Sequence, residues 1–173
     1  GWQIGELMAA LESCGMPVVF TAPNADTGGR IIASEIDRQV RKHPEWKLVN
    51  NLGTPNYFGL MKVSTAMVGN SSSGMVEAAP FGLPVVNIGI RQQGRLRNSN
   101  IIDVGYHRDE ILQGIQKAVS PEFRLKASQA DNLFGDGHAA ERIVEVLKNV
   151  PLDDRLMMKE FVDLPQVSSG VTG

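Results

Sequence analysis

The side chains best suited to chemistry stand in a glycine- and serine-rich turn after an apolar segment, within TAMVGNSSSGMVEAAPFGLPVVNIGIR. Residues 65–68 predict a strand, and residues 75–79 predict a short helix beyond the turn. The first N–H groups of a helix lack partners and carry the positive end of its dipole, so such a turn can bind an anion. Serine hydroxyls add donors, and small residues let a phosphate approach the backbone. The residues expected at a phosphate are Gly69, Asn70, Ser71 and Ser72.

Glu77 is an acidic residue embedded in an otherwise small and apolar helix. A carboxylate accepts hydrogen bonds from ribose hydroxyls but repels phosphate, so a ribose is the expected ligand group. A structural interpretation stays open, in which Ser71 or Ser72 caps the helix and Glu77 contacts the turn before it. The spacing of serines and glycines does not fit the G-x-S-x-G elbow of serine hydrolases, and the sequence has no Walker A motif.

Strands are also predicted at residues 17–21 and 45–49, and a polar loop follows each of them. The carboxyl ends of parallel strands lie at one edge of a sheet, where ligands bind in such folds. The candidate binding residues in these loops are Asn24, Asp26, Asn51 and Gly53. For Asp26 alone, capping of the next helix is the simpler interpretation, whereas the pair of Asn24 and Asp26 favours a ligand site.

The segment after the last of these strands is polar and basic. It carries Arg91, Arg95 and Arg97 within seven residues. These guanidinium groups either meet a phosphate or are simply solvated.

Helices and strands alternate over most of the chain, which predicts an α/β fold with a Rossmann-like parallel sheet flanked by helices. The first predicted element, over residues 2–13, is a helix, so we expect the sheet to lack its first strand and to leave an exposed edge. We expect a nucleotide-binding domain over residues 1–150 and a C-terminal helix with a flexible tail over 151–173.

Helical spacing also predicts two apolar stripes that face a core. The first consists of Ile32, Ile36 and Val40, with Ile31 beside them. The second consists of Ile143, Val144 and Leu147.

Composition narrows the function classes. The chain has 173 residues, with 17 basic and 19 acidic side chains, so the basic surface of a nucleic-acid-binding protein is not expected. No apolar run approaches the roughly 20 residues that a membrane span needs. A single cysteine, Cys14, fits a reducing compartment such as the cytoplasm. The three histidines share no ligand spacing, so we expect no metal site and no cofactor.

Three motifs, in order, resemble the hydrolysing UDP-N-acetylglucosamine 2-epimerases of sialic and legionaminic acid biosynthesis. They are FTAPNADTGGRII, GNSSSGMVEAAPFGLPVVNIGIRQQGRLR and GDGHAAERI, and the resemblance runs from about Ile4 to Leu147. It implies the C-terminal half of a glycosyltransferase-B arrangement, in which two Rossmann-like domains hold a UDP-sugar between them.

The resemblance also implies roles for individual residues. Ser71 and Ser72 would donate to the diphosphate, Glu77 would accept from the ribose hydroxyls, and Arg91 would face the nucleotide or the neighbouring helix. Asn24 and Asp26 match the P-N-x-D loop of the family, and the 51–54 loop would lie against uracil. The implied partner is UDP or a UDP-N-acetylhexosamine.

The sequence departs from the family at the catalytic groups. The family eliminates UDP after proton removal at C2 and then hydrates the glycal to N-acetylmannosamine. Its acid/base carboxylates lie in the N-terminal domain, and a further histidine follows the first strand of the C-terminal domain. Neither is matched here, and neither are the allosteric arginines, because Ser34 and Asp37 occupy that helix face. No catalytic residue is therefore predicted.

Three functions stay open at this point. The chain is the UDP-sugar-binding half of a truncated or split epimerase, inactive alone. Alternatively, it is a stand-alone nucleotide-binding or assembly module that forms a homodimer through its sheet edge, or half of a nucleotide-sugar glycosyltransferase.

Overall fold

The computed structural model describes residues 1–23 and 28–158. Asn24, Asp26 and the predicted tail beyond residue 158 lie outside the described residues. The chain divides into two compact units, Gly1–Phe134 and Gly135–Gly173. The division expected at residue 150 stays a prediction.

The first unit alternates helices and strands. Its strands are β1 (Val19–Thr21), β2 (Lys47–Val49), β3 (Met67–Gly69), β4 (Val85–Ile88) and β5 (Ile101–Val104). Its helices are α1 (Trp2–Cys14), α2 (Gly29–Val40), α3 (Gly53–Val63), α4 (Ser72–Val76), α5 (Arg108–Val119) and α6 (Pro121–Ser128), with a 3₁₀ turn at Ala79–Phe81. The second unit contributes α7 (Ala139–Asn149) and α8 (Asp154–Met157).

Among the described residues the strands form two parallel sheets, β1–β2 and β3–β4–β5. Val19 pairs with Lys47 in the first sheet, and Met67 pairs with Val85 in the second. The parallel α/β prediction is confirmed. The interruption lies between the two sheets, whereas the sequence predicted an exposed edge.

The two faces of β4 separate the helices into two layers. Side chains alternate along a strand. Val86 and Ile88 belong to a core with residues of α1, α2 and α5, while Val85 belongs to a second core with residues of α3 and α4. All four residues of β4 are buried, as expected of a central parallel strand covered on both faces.

A cavity of about 940 Å³ opens between the two sheets, and we call it the inter-sheet cleft. Phe20 and Thr21 of β1 line one wall, and residues 67–69 of β3 line the other. Residues of α1, α2 and α3 complete its lining. The cleft therefore lies between β1 and β3 within the first unit.

The cleft explains one error in the predicted core. Ile36 of α2 is buried as expected, but Ile32 is 36% exposed and Ile31 is 56% exposed. Both side chains line the inter-sheet cleft, where no described strand covers them. The sequence correctly predicts that Ile31 and Ile32 lie on the apolar side of α2, but the predicted burial of the two side chains is wrong.

The stripe predicted on α7 is also not buried. Ile143, Val144 and Leu147 are exposed, and none of the described residues of α7 is buried. The second unit is small, and a chain this short builds little core of its own.

The helix predicted over residues 75–79 begins three residues earlier and ends at Val76. Ser71 is its N-cap, because its side chain accepts from the Ser73 N–H at 3.3 Å. Pro80 prevents an α-helical hydrogen bond from its own nitrogen, and a 3₁₀ turn follows instead.

We predict that Ile111→Ala lowers the free energy of unfolding by about 2–5 kcal/mol, since Ile111 is fully buried between α5 and the sheet. Urea unfolding followed by circular dichroism measures the loss. Gln116→Ala on the exposed side of α5 is the control. Equal stability of the two variants would contradict this packing.

Candidate functional site

The turn between β3 and α4 lies at the carboxyl end of a strand. Gly69 ends β3 with φ +148°, a backbone conformation that other residues rarely adopt. Asn70 and Ser71 follow and lead into α4. The Ser71 oxygen accepts from the Ser73 backbone, and its hydroxyl hydrogen can still donate to a ligand.

The short length of α4 changes the electrostatic argument for this turn. The helix has only five residues, so the summed dipole on which the anion-site prediction relied is small. The donors that the turn offers are instead local, namely first-turn N–H groups and the hydroxyls of Ser71 and Ser72. Gly74 allows α4 to lie close to β4, because a Cβ there would come within 2.8 Å of Val85 Cγ1.

A hydrogen-bond chain holds Glu77, the C-cap residue of α4. The Ser73 hydroxyl donates to Glu77 Oε2. Tyr57 of α3 in turn donates its phenolic O–H to Ser73 Oγ at 3.0 Å. Glu77 is half-buried and lines the cleft. The hydrogen bond from Ser73 to one of its oxygens therefore fixes the position of the carboxylate in the cleft lining.

Sequence reasoning missed Ser73 and Tyr57 as members of this site. Ser73 stands four residues before Glu77, a spacing that brings side chains together on a helix and that could have identified it. Tyr57 is 16 residues from Ser73 on another helix, and no local pattern reports that contact.

The basic segment after β4 is anchored to the same turn. Gln92 Nε2 donates to the Asn70 carbonyl at 2.7 Å, and Arg91 donates to the same oxygen at 3.1 Å. Gln92 is almost fully buried. This pair holds Asn70 from behind and places the Arg91 cation beside the turn.

Two more buried amides fasten the segment behind the site. Asn98 donates to the Met75 carbonyl at 3.2 Å and accepts from the Leu133 N–H at 3.0 Å. Asn100 donates to the Leu83 carbonyl at 2.7 Å. These amides have a structural role, which the polar and basic composition of the segment did not indicate.

The arginines of this segment have different environments. Arg97 donates to Asp103 Oδ2 at 3.1 Å, and Asp103 Oδ1 accepts from the buried Asn87 at 2.6 Å. Arg97 is thus paired with a carboxylate, a third outcome beyond the phosphate contact and the solvated side chain. The Arg95 side chain is exposed.

The loop after β2 forms a tight turn before α3. Asn51 Oδ1 accepts from the Gly53 N–H at 2.9 Å, and Gly53 is the first residue of the helix. The Asn51 carbonyl oxygen is therefore engaged within its own loop.

Most of the predicted site residues lie in the lining of the inter-sheet cleft. The predicted residues in its lining are Asn51, Gly53, Gly69, Asn70, Ser71, Glu77 and Arg91. Ser72 is exposed at the start of α4 and is not part of the lining. Asn24 and Asp26 are outside the described residues, but Pro23 and Gly28 on either side of their loop line the cleft.

Other reactive groups lie outside this arrangement. Burial raises the pKa of the Cys14 thiol, which disfavours the thiolate nucleophile. Two hydrogen bonds from Arg142 of α7 lower the pKa of Asp136. This acid of the GDGHAA motif therefore stabilises the start of α7.

The described part of the chain contains neither a metal-binding cluster nor a membrane-spanning helix. No cluster of three or more histidine, cysteine or acidic side chains there could hold a metal ion. No described helix is long and apolar enough to cross a membrane.

The fold and the site define a parallel α/β domain whose polar loops converge at the carboxyl ends of its strands, an arrangement typical of ligand-binding α/β proteins. Residues 2–148 match the family model described as UDP-N-acetylglucosamine 2-epimerase, and the chain belongs to this family.

Two curated relatives support the assignment. The chain is 36% identical over 157 residues to the UDP-N,N'-diacetylbacillosamine 2-epimerase (hydrolyzing) of Legionella pneumophila, covering 91% of this chain and 40% of the relative. It is 40% identical over 149 residues to the GDP/UDP-N,N'-diacetylbacillosamine 2-epimerase (hydrolyzing) of Campylobacter jejuni, covering 85% and 38%. The chain thus spans about 40% of the length of these relatives.

Solved structures agree on the fold. The S. aureus MnaA-UDP co-structure has a TM-score of 0.67 at 21% identity and covers 86% of this chain and 41% of its own. The Methanocaldococcus jannaschii UDP-GlcNAc 2-epimerase in complex with UDP-GlcNAc and UDP has a TM-score of 0.65 at 16% identity, covering 84% and 39%. The predicted correspondence with half of a glycosyltransferase-B fold is confirmed.

We predict that Asn98→Ala lowers the free energy of unfolding by about 1–3 kcal/mol. The substitution removes the Asn98 donor from the carbonyl of the buried Met75 and the acceptor from the Leu133 N–H. Gln93→Ala removes an exposed amide from the same segment and is the control, with an expected effect within about 0.5 kcal/mol. Equal urea midpoints would show that the Asn98 amide does not fasten the segment.

Proposed function

We propose that this chain is the UDP-binding half of a hydrolysing UDP-N-acetylglucosamine 2-epimerase, which converts UDP-N-acetylglucosamine, or a related UDP-N-acetylhexosamine, to UDP and N-acetylmannosamine or its analogue. The observation that carries the proposal is the convergence of the β3–α4 turn, Glu77 and Arg91 on one end of the inter-sheet cleft in a member of this family. The family match favours this function over the glycosyltransferase and the stand-alone module.

The diphosphate is proposed to bind at the β3–α4 turn. Ser71 and Ser72 donate through their hydroxyls, and Gly69 and Asn70 present backbone without bulky side chains. Arg91 adds a guanidinium beside the turn, held there through the Asn70 carbonyl. A cation next to several neutral donors suits a diphosphate, because charge-assisted hydrogen bonds are the stronger kind.

The ribose is proposed to bind at Glu77. An ionised carboxylate only accepts hydrogen bonds, so it complements hydroxyl groups and disfavours phosphate. One of its oxygens already accepts from Ser73, and Glu77 is among the residues that line the cleft. This geometry supports the distinction between the ribose and the phosphate subsite.

The base and the sugar are proposed to contact the neighbouring loops. The side-chain oxygen of Asn51 already accepts a hydrogen bond from the Gly53 N–H. The Asn51–Gly53 turn is therefore proposed to contact uracil through its backbone groups. Asn24 and Asp26 are proposed to reach the ligand from the loop after β1, whose flanking residues line the cleft.

The steps that break the sugar C–H bond are proposed to need groups outside this chain. The described cleft offers donors for UDP but no second carboxylate beside Glu77 for acid–base work on a sugar. We further propose that the protein acts in sialic or legionaminic acid biosynthesis in the cytoplasm, and that the present chain releases no N-acetylmannosamine from UDP-N-acetylglucosamine.

We predict that UDP binds the purified chain in calorimetry and that Glu77→Ala weakens binding by about 10- to 150-fold, the effect of removing a charged hydrogen-bond acceptor. Uridine, which lacks phosphates, should bind more weakly than UDP and lose affinity by the same factor in Glu77→Ala. Glu122→Gln, an exposed acid at the start of α6, is the control. Absence of binding heat at millimolar UDP would refute the proposal.

We predict that Tyr57→Phe weakens UDP binding about 3- to 10-fold, because it removes one hydrogen bond that positions Ser73 and, through it, Glu77. The phenyl ring keeps the packing, so stability should change little. In a Ser73→Ala background the Tyr57→Phe substitution should have no further effect, which a double-mutant cycle measures. Additive effects would show that the two hydroxyls act independently.

A further inference from the structure

We propose that Tyr106 positions Arg91 for the phosphates of UDP, by holding the turn from which the Arg91 side chain extends. Tyr106 follows β5, and both residues line the inter-sheet cleft. The inference rests on the proposed function, which assigns Arg91 to the diphosphate. It makes Tyr106 a positioning residue, because its effect on the ligand passes through Arg91.

Arg91 stands in a tight turn just after β4. The Ile90 carbonyl accepts from the Gln93 N–H at 2.9 Å, which closes a four-residue turn with Arg91 and Gln92 at its centre. Both central side chains donate to the Asn70 carbonyl. The direction in which Arg91 leaves the main chain therefore depends on how Ile90, the first residue of the turn, is held.

Ile90 is held through its main chain. Its side chain is 70% exposed, so packing contributes little. Its N–H donates to the Tyr106 hydroxyl oxygen at 3.2 Å. One residue earlier, the Gly89 N–H still bonds to a main-chain acceptor of β5, the Val104 carbonyl, at 2.9 Å. The Tyr106 hydroxyl thus supplies the next acceptor beyond the end of the strand.

The ring of Tyr106 is itself fixed in place. Gly89 has φ +72°, and a Cβ on this residue would overlap the Tyr106 ring, so the ring lies against the Gly89 main chain. Trp2 of α1 packs edge-on against the same ring, with the centroids 6.0 Å apart. The hydroxyl is therefore an anchor in a defined position, and glycine at position 89 is what leaves room for it.

This anchor matters for a phosphate because arginine has a long and mobile side chain. Ordering such a side chain on binding costs conformational entropy, and a guanidinium that is already held loses less. Arg91 is held at its head by the Asn70 carbonyl and at its main chain through Tyr106. Loss of the Tyr106 hydroxyl should therefore weaken the contact with phosphate and leave the ribose contact of Glu77 unchanged.

The first test uses the chain without ligand and compares it with Tyr106→Phe, which keeps the ring against Gly89 and removes the hydroxyl. We expect amide hydrogen exchange at Ile90 to accelerate by about tenfold or more, while exchange at Gly89 stays unchanged. NMR relaxation should show a lower order parameter for the Arg91 Nε–H group. The Nε–H group of Arg97, which is paired with a carboxylate, is the internal reference.

The second test measures affinity by calorimetry. Tyr106→Phe should weaken UDP binding about 3- to 10-fold and leave uridine binding unchanged, because uridine has no phosphate. Tyr57→Phe is the matched control, since the same substitution there acts through Glu77 and should weaken both ligands. In an Arg91→Gln background, Tyr106→Phe should have no further effect on UDP affinity.

Three results would overturn the proposal. They are equal weakening of UDP and uridine by Tyr106→Phe, an undiminished effect in the Arg91→Gln background, and unchanged order at Arg91. Weaker UDP binding with unchanged order at Arg91 would mean that the hydroxyl contacts the ligand directly, which also excludes the positioning role. Absence of UDP binding by the unmodified chain would refute the proposed function, and the measurements without ligand would then still decide whether Tyr106 holds Arg91.

Discussion

Buried amide side chains hold the candidate site in position. Gln92 fixes the Asn70 carbonyl, Asn98 bridges α4 and the segment before Phe134, and Asn100 holds the chain before β4. Each bond joins a buried amide side chain to a main-chain group of a neighbouring segment, and the Met75 and Leu83 carbonyls belong to buried residues. The turn that offers donors to the cleft is therefore held by residues behind it, and Gln92, Asn98 and Asn100 are not among the residues that line the cleft.

The sequence predicted the elements of the fold well because its periodicities are local. The apolar run of β4 and the apolar stripe of α5 each predict which residues are buried, and the alternation of helices and strands indicates a parallel sheet. The location of the interruption was not predictable in the same way. It depends on which strands become neighbours, and Ile31 and Ile32 look like core residues whether or not a strand covers them.

The sequence likewise predicted only those residues of the candidate site that lie close together along the chain. Gly69, Asn70, Ser71 and Glu77 stand in one short segment, so residue types and spacing were sufficient to select them. Tyr57 and Gln92 act through contacts with distant parts of the chain, and their roles appear only when α3 and the segment after β4 are placed around the turn. Composition misled most at Asn98 and Asn100, because amide side chains are usually exposed but here replace main-chain partners.

The inter-sheet cleft also affects how the first unit comes apart. Within the described residues no strand hydrogen bond connects β1–β2 with β3–β4–β5, and the halves meet through side chains of the helix layers. A two-stranded sheet is marginal by itself, whereas three strands with a covered central strand are more robust. We therefore expect the β1–β2 half to melt as a separate cooperative unit, so that a single melting temperature would not describe this domain.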